Sequence, residues 1–230
     1  MVWRHDRGYG RSQCGRGGVG IMDDYMVIGF IRHGLTEENE RGKYIGWTNP
    51  SLSKGGIDIL QRRRPFFRQY EGCFSSDLNR CVESSHFLFP GVPIKSSPLL
   101  RELHFGKWEG LTFETLKGDG VYQDWLTNPT ISPPGGEGMN AFRKRVDVAW
   151  EQIKAQIDEL NGKRYAVITH GGVIRHLLTS LSPGNDPRTF WEWKVSHGTG
   201  YELIWETEED WRDQVCTSLR AVPLTGRQDG

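Results

Sequence analysis

Four short apolar runs constrain the fold of this chain more than any other feature: Met26–Ile31, Cys73–Ser75, Tyr165–Thr169 and Tyr201–Trp205. Each is too short for a buried helix and reads as a buried strand. Helical patterns lie between them. Lys54–Arg64 is one, ended or kinked by Pro65. Asn79–Phe89 is a second, with Asp77 placed to cap it. Met139–Leu160 is long and amphipathic, carrying Phe142, Val146, Trp150, Ile153 and Ile157 at helical spacing. Gly172–Leu181 follows the third run directly. Strand alternating with helix predicts an α/β fold, three layers deep, with helices on both faces of a mostly parallel sheet.

A chain of 230 residues suits one such domain with a small lid. Residues 24–222 are expected to form it, with 223–230 as a tail. Residues 1–23 are rich in Gly and Arg, have almost nothing to bury and carry no apolar signal core, so they read as a disordered extension. Lys plus Arg and Asp plus Glu both number 29, so bulk charge favours neither a nucleic-acid nor a membrane partner. No apolar run approaches the roughly 20 residues that span a bilayer. Cys14, Cys73, Cys81 and Cys216 show no CxxC spacing, which fits reduced thiols and a cytoplasmic setting, with Cys73 as a small buried hydrophobe. Monomer and homodimer stay equally open.

The chemistry-bearing residues follow the strands. The first run leads into Arg32-His33-Gly34, the second into Asp77-Leu78-Asn79-Arg80, and the third into His170-Gly171-Gly172 and a helix. Ligands of open parallel sheets bind at the carboxyl ends of the strands. An arginine fork matches phosphate oxygens and stays charged. A histidine attacks phosphorus only as neutral imidazole, and neighbouring arginines favour that form. Glycines such as Gly171, at a helix start, leave backbone N–H groups open to an anion. A lone strand-end histidine is more often structural, Arg80 alone would pass for a solvated helix residue, and the Arg62-Arg63-Arg64 run reads as one. Only the combination points to phosphoryl transfer. Residues 103–140, rich in Gly, Trp and Pro, break the strand–helix rhythm and read as a lid.

The stretch Arg32-His33-Gly34-Leu35-Thr36-Glu37-Glu38-Asn39 resembles the RHG signature of the histidine phosphatase (phosphoglycerate mutase-like) superfamily, branch 1. Five further segments are similar to the same family in the same order: 44–53, 75–80, 100–110, 133–137 and 169–175. The resemblance spans roughly residues 26–206. It implies that His33 is the nucleophile that becomes phosphohistidine, that Arg32, Arg80 and His170 hold the transferring group, and that Glu102 moves protons. It further implies substrate or phosphate contacts at Asn39 and Gly46. Chemistry alone would not choose Glu102 over Glu37 or Glu109. No cofactor and no metal are expected, since HExxH, paired-Asp and Cys/His ligand spacings do not occur.

Ile45 stands where mutase relatives place a small hydroxyl residue. Residues 103–169, between Glu102 and His170, make a shorter insertion than such mutases carry. The resemblance therefore implies a metal-independent phosphatase acting on a small phosphorylated metabolite, similar to α-ribazole phosphatases and broad-specificity phosphatases. A mutase is the alternative. A non-catalytic phospho-ligand binder is a second alternative, although it would be expected to lack a pocket residue. His104 and His197 read as pocket lining or surface. Glu137 reads as a cap of the long helix or a substrate contact.

Overall fold

The computed structural model describes residues 25–224, apart from 129, 161, 184–187 and 215. The expected extension at 1–23, Cys14, and positions 225–230 of the expected tail lie outside the described residues. Six strands form one sheet in the order β3-β2-β4-β1-β5-β6: β1 (Met26–Arg32), β2 (Gly72–Ser76), β3 (Ile94–Ser97), β4 (Arg164–Thr169), β5 (Gly200–Trp205) and β6 (Ser218–Val222). Strands β1 to β4 run parallel, whereas β5 pairs antiparallel with both β1 and β6. The expected mostly parallel sheet is present. The exposed edge strands β3 and β6, which carry little apolar patterning, are additions.

Among the described residues eight α-helices accompany the sheet: α1 (Glu37–Glu40), α2 (Lys54–Arg63), α3 (Asn79–Leu88), α4 (Phe113–Leu116), α5 (Gly120–Thr127), α6 (Met139–Asp158), α7 (Gly171–Leu181) and α8 (Glu208–Asp213). Alternate side chains along each strand face opposite layers. Ile28, Phe30, Tyr165 and Val167 pack with Phe142, Val146, Trp150 and Ile153 of α6 and with Ile174 and Leu177 of α7. Ile31, Ala166 and Ile168 face the other way, onto Leu60 of α2 and Cys81 and Leu88 of α3. This is the α/β/α sandwich that the alternating pattern predicts.

Of the two alternatives for Pro65, ending the helix is the one observed: α2 stops at Arg63, and Arg64–Phe66 tighten into a 3-10 turn with Pro65 inside it. Two local expectations need correction. Asp77 does not cap α3, whose N-cap is Leu78 with no side-chain hydrogen bond. Asp77 instead accepts from Arg101 Nε at 2.7 Å and Nη2 at 2.5 Å. Glu137 caps nothing either: Gly138 is the N-cap of α6, and the Glu137 carboxylate takes Arg145 Nε at 2.9 Å and Nη2 at 2.6 Å. In both cases a fork of arginine donors outcompetes a single backbone N–H for the carboxylate.

The 103–140 segment is more than a loop. It contains α4 and α5, and Trp108, Tyr122 and Trp125 are buried together with Tyr44 and Phe105 packed against them. Tyr44 and Tyr122 share a 2.5 Å hydroxyl–hydroxyl bond inside this cluster. The Gly/Trp/Pro-rich segment thus extends the main core on the α6–α7 side of the sheet.

Candidate active site

The carboxyl ends of β1, β2 and β4 bring Arg32, His33, Arg80 and His170 together, as their positions after the strands predict. His33 and His170 are buried, with ring centroids 5.1 Å apart. His33 Nδ1 lies 2.6 Å from the Gly34 carbonyl. A carbonyl only accepts, so the proton sits on Nδ1 and Nε2 keeps its lone pair. Burial, and then the neighbouring His170, Arg80, His197 and Arg32, hold the His33 pKa well below 6.5. The ring is neutral at working pH.

His170 is neutral for the same reasons, burial first and the arginines next. Arg80 Nη2 lies 3.3 Å from His170 Nδ1 and can only donate, so Nδ1 accepts. The remaining ring proton then goes from Nε2 to Ser76 Oγ at 3.0 Å. Cys81, also buried, stands 3.5 Å from the same nitrogen, its thiol pushed up to about 12 mainly by burial.

The two guanidinium groups are held by neutral partners. Arg32 Nη1 donates to the Val195 carbonyl at 2.8 Å. Arg80 donates to the carbonyls of Thr48 at 2.8 Å and Gly46 at 2.7 Å. The Nε–H of each is buried and meets no protein acceptor. Burial lowers both pKa values, that of Arg32 to about 10. A pocket floored by two cations with unused donors, at the start of α7, is suited to a tetrahedral oxyanion.

Glu102 joins this site from the segment after β3. Its carboxylate accepts the Gly172 N–H at 2.9 Å and the Leu103 N–H at 3.0 Å. A Cβ on residue 172 would come within 2.3 Å of Glu102 Oε1, so glycine at this second position after His170 is what lets the carboxylate reach the helix start. Glu37 is on the surface, paired with Arg41. Glu109 accepts the N–H groups of Trp47 at 2.7 Å, Thr48 at 2.6 Å and Phe105 at 3.3 Å, and so braces a loop.

The other expected contacts fare unevenly. Gly46 meets Arg80 through its carbonyl, and a Cβ there would lie 2.2 Å from the Leu103 carbonyl oxygen. The Asn39 amide oxygen closes a capping box on α1 with Thr36, accepting from its N–H at 3.3 Å and hydroxyl at 3.1 Å. Gly171 lies under the guanidinium groups of Arg32 and Arg175. His104 is half-exposed against Trp47, at the rim.

Three participants were missed or undervalued by sequence reasoning. Arg145 on α6 donates to the carbonyls of Leu99 and Arg101, both at 2.8 Å, and Glu102 at 3.2 Å, fixing the backbone that carries Glu102. Its place beside the apolar stripe of α6 gave no separate signal. His197 packs its ring 5.0 Å from that of His33. Arg63, one of the three arginines taken for a solvated run, is half-buried and donates to the His197 carbonyl.

Among the described residues no group of three or more His, Cys, Asp or Glu is arranged to hold a metal ion, and no helix is long and apolar enough to cross a membrane.

The chain is similar to known proteins over most of its length. It is 30% identical over 187 residues to an adenosylcobalamin/alpha-ribazole phosphatase of Salmonella typhimurium, covering 75% of this chain and 87% of that one. A 2,3-bisphosphoglycerate-dependent phosphoglycerate mutase of Methylorubrum extorquens is 26% identical over 202 residues, with 82% and 92% covered. The crystal structure of an alpha-ribazole phosphatase from Shigella flexneri shares the fold, with a TM-score of 0.70 at 24% identity over 77% of this chain and 90% of that one. The family model for the histidine phosphatase superfamily (branch 1) matches residues 28–215. With that match spanning the whole arrangement from β1 to α8, the chain belongs to branch 1 of the histidine phosphatase superfamily.

Proposed function

We propose that this protein hydrolyses small phosphomonoesters through a phosphohistidine on His33. The observation that carries this reading is the neutral His33 ring, its Nε2 lone pair free, beside the buried Arg80 and half-buried Arg32, whose buried Nε–H donors no protein atom meets. Nε2 attacks phosphorus, the N–P bond forms and the bond to the leaving oxygen breaks. Glu102, which takes up the proton of the entering phosphomonoester monoanion, passes it to that oxygen. Water then attacks the phosphohistidine, Glu102 takes the water proton, and the N–P bond breaks to release phosphate. Arg32, Arg80 and His170 offset the charge on the transferring oxygens. The α7 start, with Gly171, and the Asn39 amide NH₂ supply further donors. Gly46 acts through its carbonyl, which orients Arg80.

Hydrolysis is favoured over mutase transfer by the rim. Two rim arginines that could face a second anionic group are paired with carboxylates, Arg101 with Asp77 and Arg145 with Glu137, while Arg175, its Nε held by the Trp193 carbonyl, stands beside Arg32 at the phosphoryl position. The segment 103–140, packed into the core by Trp108, Tyr122 and Trp125, is then the wall beside the leaving group.

The test is to trap the intermediate by alkaline denaturation in the presence of excess chelator, followed by mass analysis. Label on His33, and none in His33→Ala, is the expected result. Label on His170, or activity that vanishes with chelator and returns with a divalent metal, would overturn the scheme.

A further inference from the structure

His197 is the one pocket imidazole that the phosphohistidine scheme leaves without a task. It arrives by topology. Because β5 is antiparallel, its first residue, Gly200, pairs with Ile31 at the carboxyl end of β1, and the turn before it lies against the His33 segment. That turn grips the segment with four bonds. Thr199 O accepts the Arg32 N–H at 2.9 Å; the Gly198 N–H reaches the carbonyls of Arg32 at 2.9 Å and His33 at 3.2 Å; and His197 Nδ1 reaches the His33 carbonyl at 3.1 Å.

The carbonyl can only accept, so His197 donates from Nδ1. Its ring then meets the His33 ring edge to face at 66°. Arg63 Nη1 bonds the His197 carbonyl from outside, and Gly198, at φ +67°, makes the turn that leaves room for this guanidinium. Burial, followed by the Arg32 charge, keeps the His197 pKa down to about 3. At working pH it therefore acts by shape and by its hydrogen bond.

His33 itself has one side-chain hydrogen bond, to the neighbouring carbonyl. One bond of that kind favours the Nδ1–H tautomer only while the ring stays in register with the carbonyl, and alone it leaves the ring free to rock out of that register. In-line attack needs Nε2 held to within a fraction of an ångström of its working position. We propose that His197 is a positioning residue for His33, its ring and its hydrogen bond to the His33 carbonyl together fixing the attacking imidazole, with Arg63 bracing it from behind. This inference rests on the phosphohistidine reading above.

Three variants separate the two contacts. His197→Asn keeps a δ-position N–H and loses the ring; His197→Phe keeps a ring and loses the donor; His197→Ala loses both. Nitrogen NMR of the His33 ring in the free protein reads the tautomer without turnover. The rate of phosphohistidine formation and the affinity for inorganic phosphate are measured beside it. For His197→Ala we expect a mixed His33 tautomer and a roughly 10–100-fold slower phosphorylation, with phosphate affinity held within about threefold. The Asn and Phe variants should fall between, and they decide the matter by the same readouts if the Ala variant does not fold.

A single Nδ1–H tautomer with a phosphorylation rate like wild type would overturn the proposal. So would a parallel loss of rate and phosphate affinity, which is what a collapsed pocket gives. If the wild-type protein forms no phosphohistidine, the proposed function fails, and the NMR readout still decides whether His197 holds the His33 ring.

Discussion

Glu202, midway along β5, and Arg32 and Arg80, at the pocket floor, are all charged groups taken out of water, yet their surroundings differ. The Glu202 carboxylate accepts from Tyr70 Oη at 2.8 Å, Arg164 Nη1 at 3.0 Å and Arg220 Nε at 2.7 Å. Its lone pairs are met by opposite charge and by a hydroxyl. The pocket arginines rest on backbone carbonyls and an imidazole, each with a buried Nε–H unmet. Among the described residues neither forms an ion pair with a carboxylate. A buried charge that is fully partnered belongs to the architecture. One whose hydrogen bonds all go to neutral dipoles, with a carboxylate charge felt only at a distance, costs stability, and its unused donors suit an anion.

The contrast can be broken at either end. Arg32→Met keeps the stem and removes the charge. It should slow phosphohistidine formation by roughly 10³–10⁵-fold, the scale of a lost arginine in phosphoryl transfer. Its urea midpoint should not fall, because an unpaired buried cation has been removed. A marked loss of stability in this variant would place Arg32 in the architecture.

Glu102 is the carboxylate whose charge is felt at both pocket arginines, raising their pKa against burial. Glu102→Gln should lower kcat/KM for alkyl phosphates by roughly 10²–10⁴-fold. The loss for p-nitrophenyl phosphate should be much smaller, since nitrophenolate leaves without a proton. Equal losses would reduce Glu102 to a partner of the arginines, as Glu202 is to Arg164 and Arg220.

Glu202→Gln should do the reverse of Arg32→Met. Breaking a buried ionic cluster on one side costs about 3–5 kcal/mol, visible as a lower urea midpoint, with kcat/KM of the folded protein unchanged. An unchanged midpoint would mean that the cluster contributes no net stability.

The smallest effect is the share of His197 in acid sensitivity. Folding depresses the pKa of His33, His170 and His197, so the unfolded chain takes up protons below about pH 6.5 while the folded chain does not. Stability contributed by the neutral rings is present above pH 6.5. It is lost as pH falls from there toward about 3, the value for His197. Each ring adds at most about 1.4 kcal/mol per pH unit to that slope. Urea titrations from pH 7 to 4.5 should show it, and His197→Asn should be shallower. Identical slopes would mean that His197 is not held neutral by the fold.

The residues gathered at the candidate site were legible because each is fastened to a strand end. Arg32 and His33 follow β1, Arg80 stands four residues beyond β2, and His170 follows β4. In a parallel sheet those ends coincide in space whatever the loops do. Glu102 was legible only through resemblance, since nothing local distinguishes it from Glu37 or Glu109. What separates the three is which backbone amides each carboxylate reaches: Gly172 on α7 for Glu102, and Trp47, Thr48 and Phe105 for Glu109. Those partners are up to 70 residues away in the chain.

By itself the sequence determined the α/β/α layering, the faces of α6 and α7, and the sheet edge that carries the candidate site, because apolar period and strand-end position are local properties. Tertiary structure decided the rest. The antiparallel entry of β5 brought His197 and Arg63 to His33, and α6 brought Arg145 beneath Glu102. Asp77 and Glu137 turned from caps into arginine partners. Each of these depends on which donor a charged side chain meets across the fold. Hydrogen-bond partners many residues away in sequence leave no periodic trace, so they are settled only when the sheet closes and the layers pack.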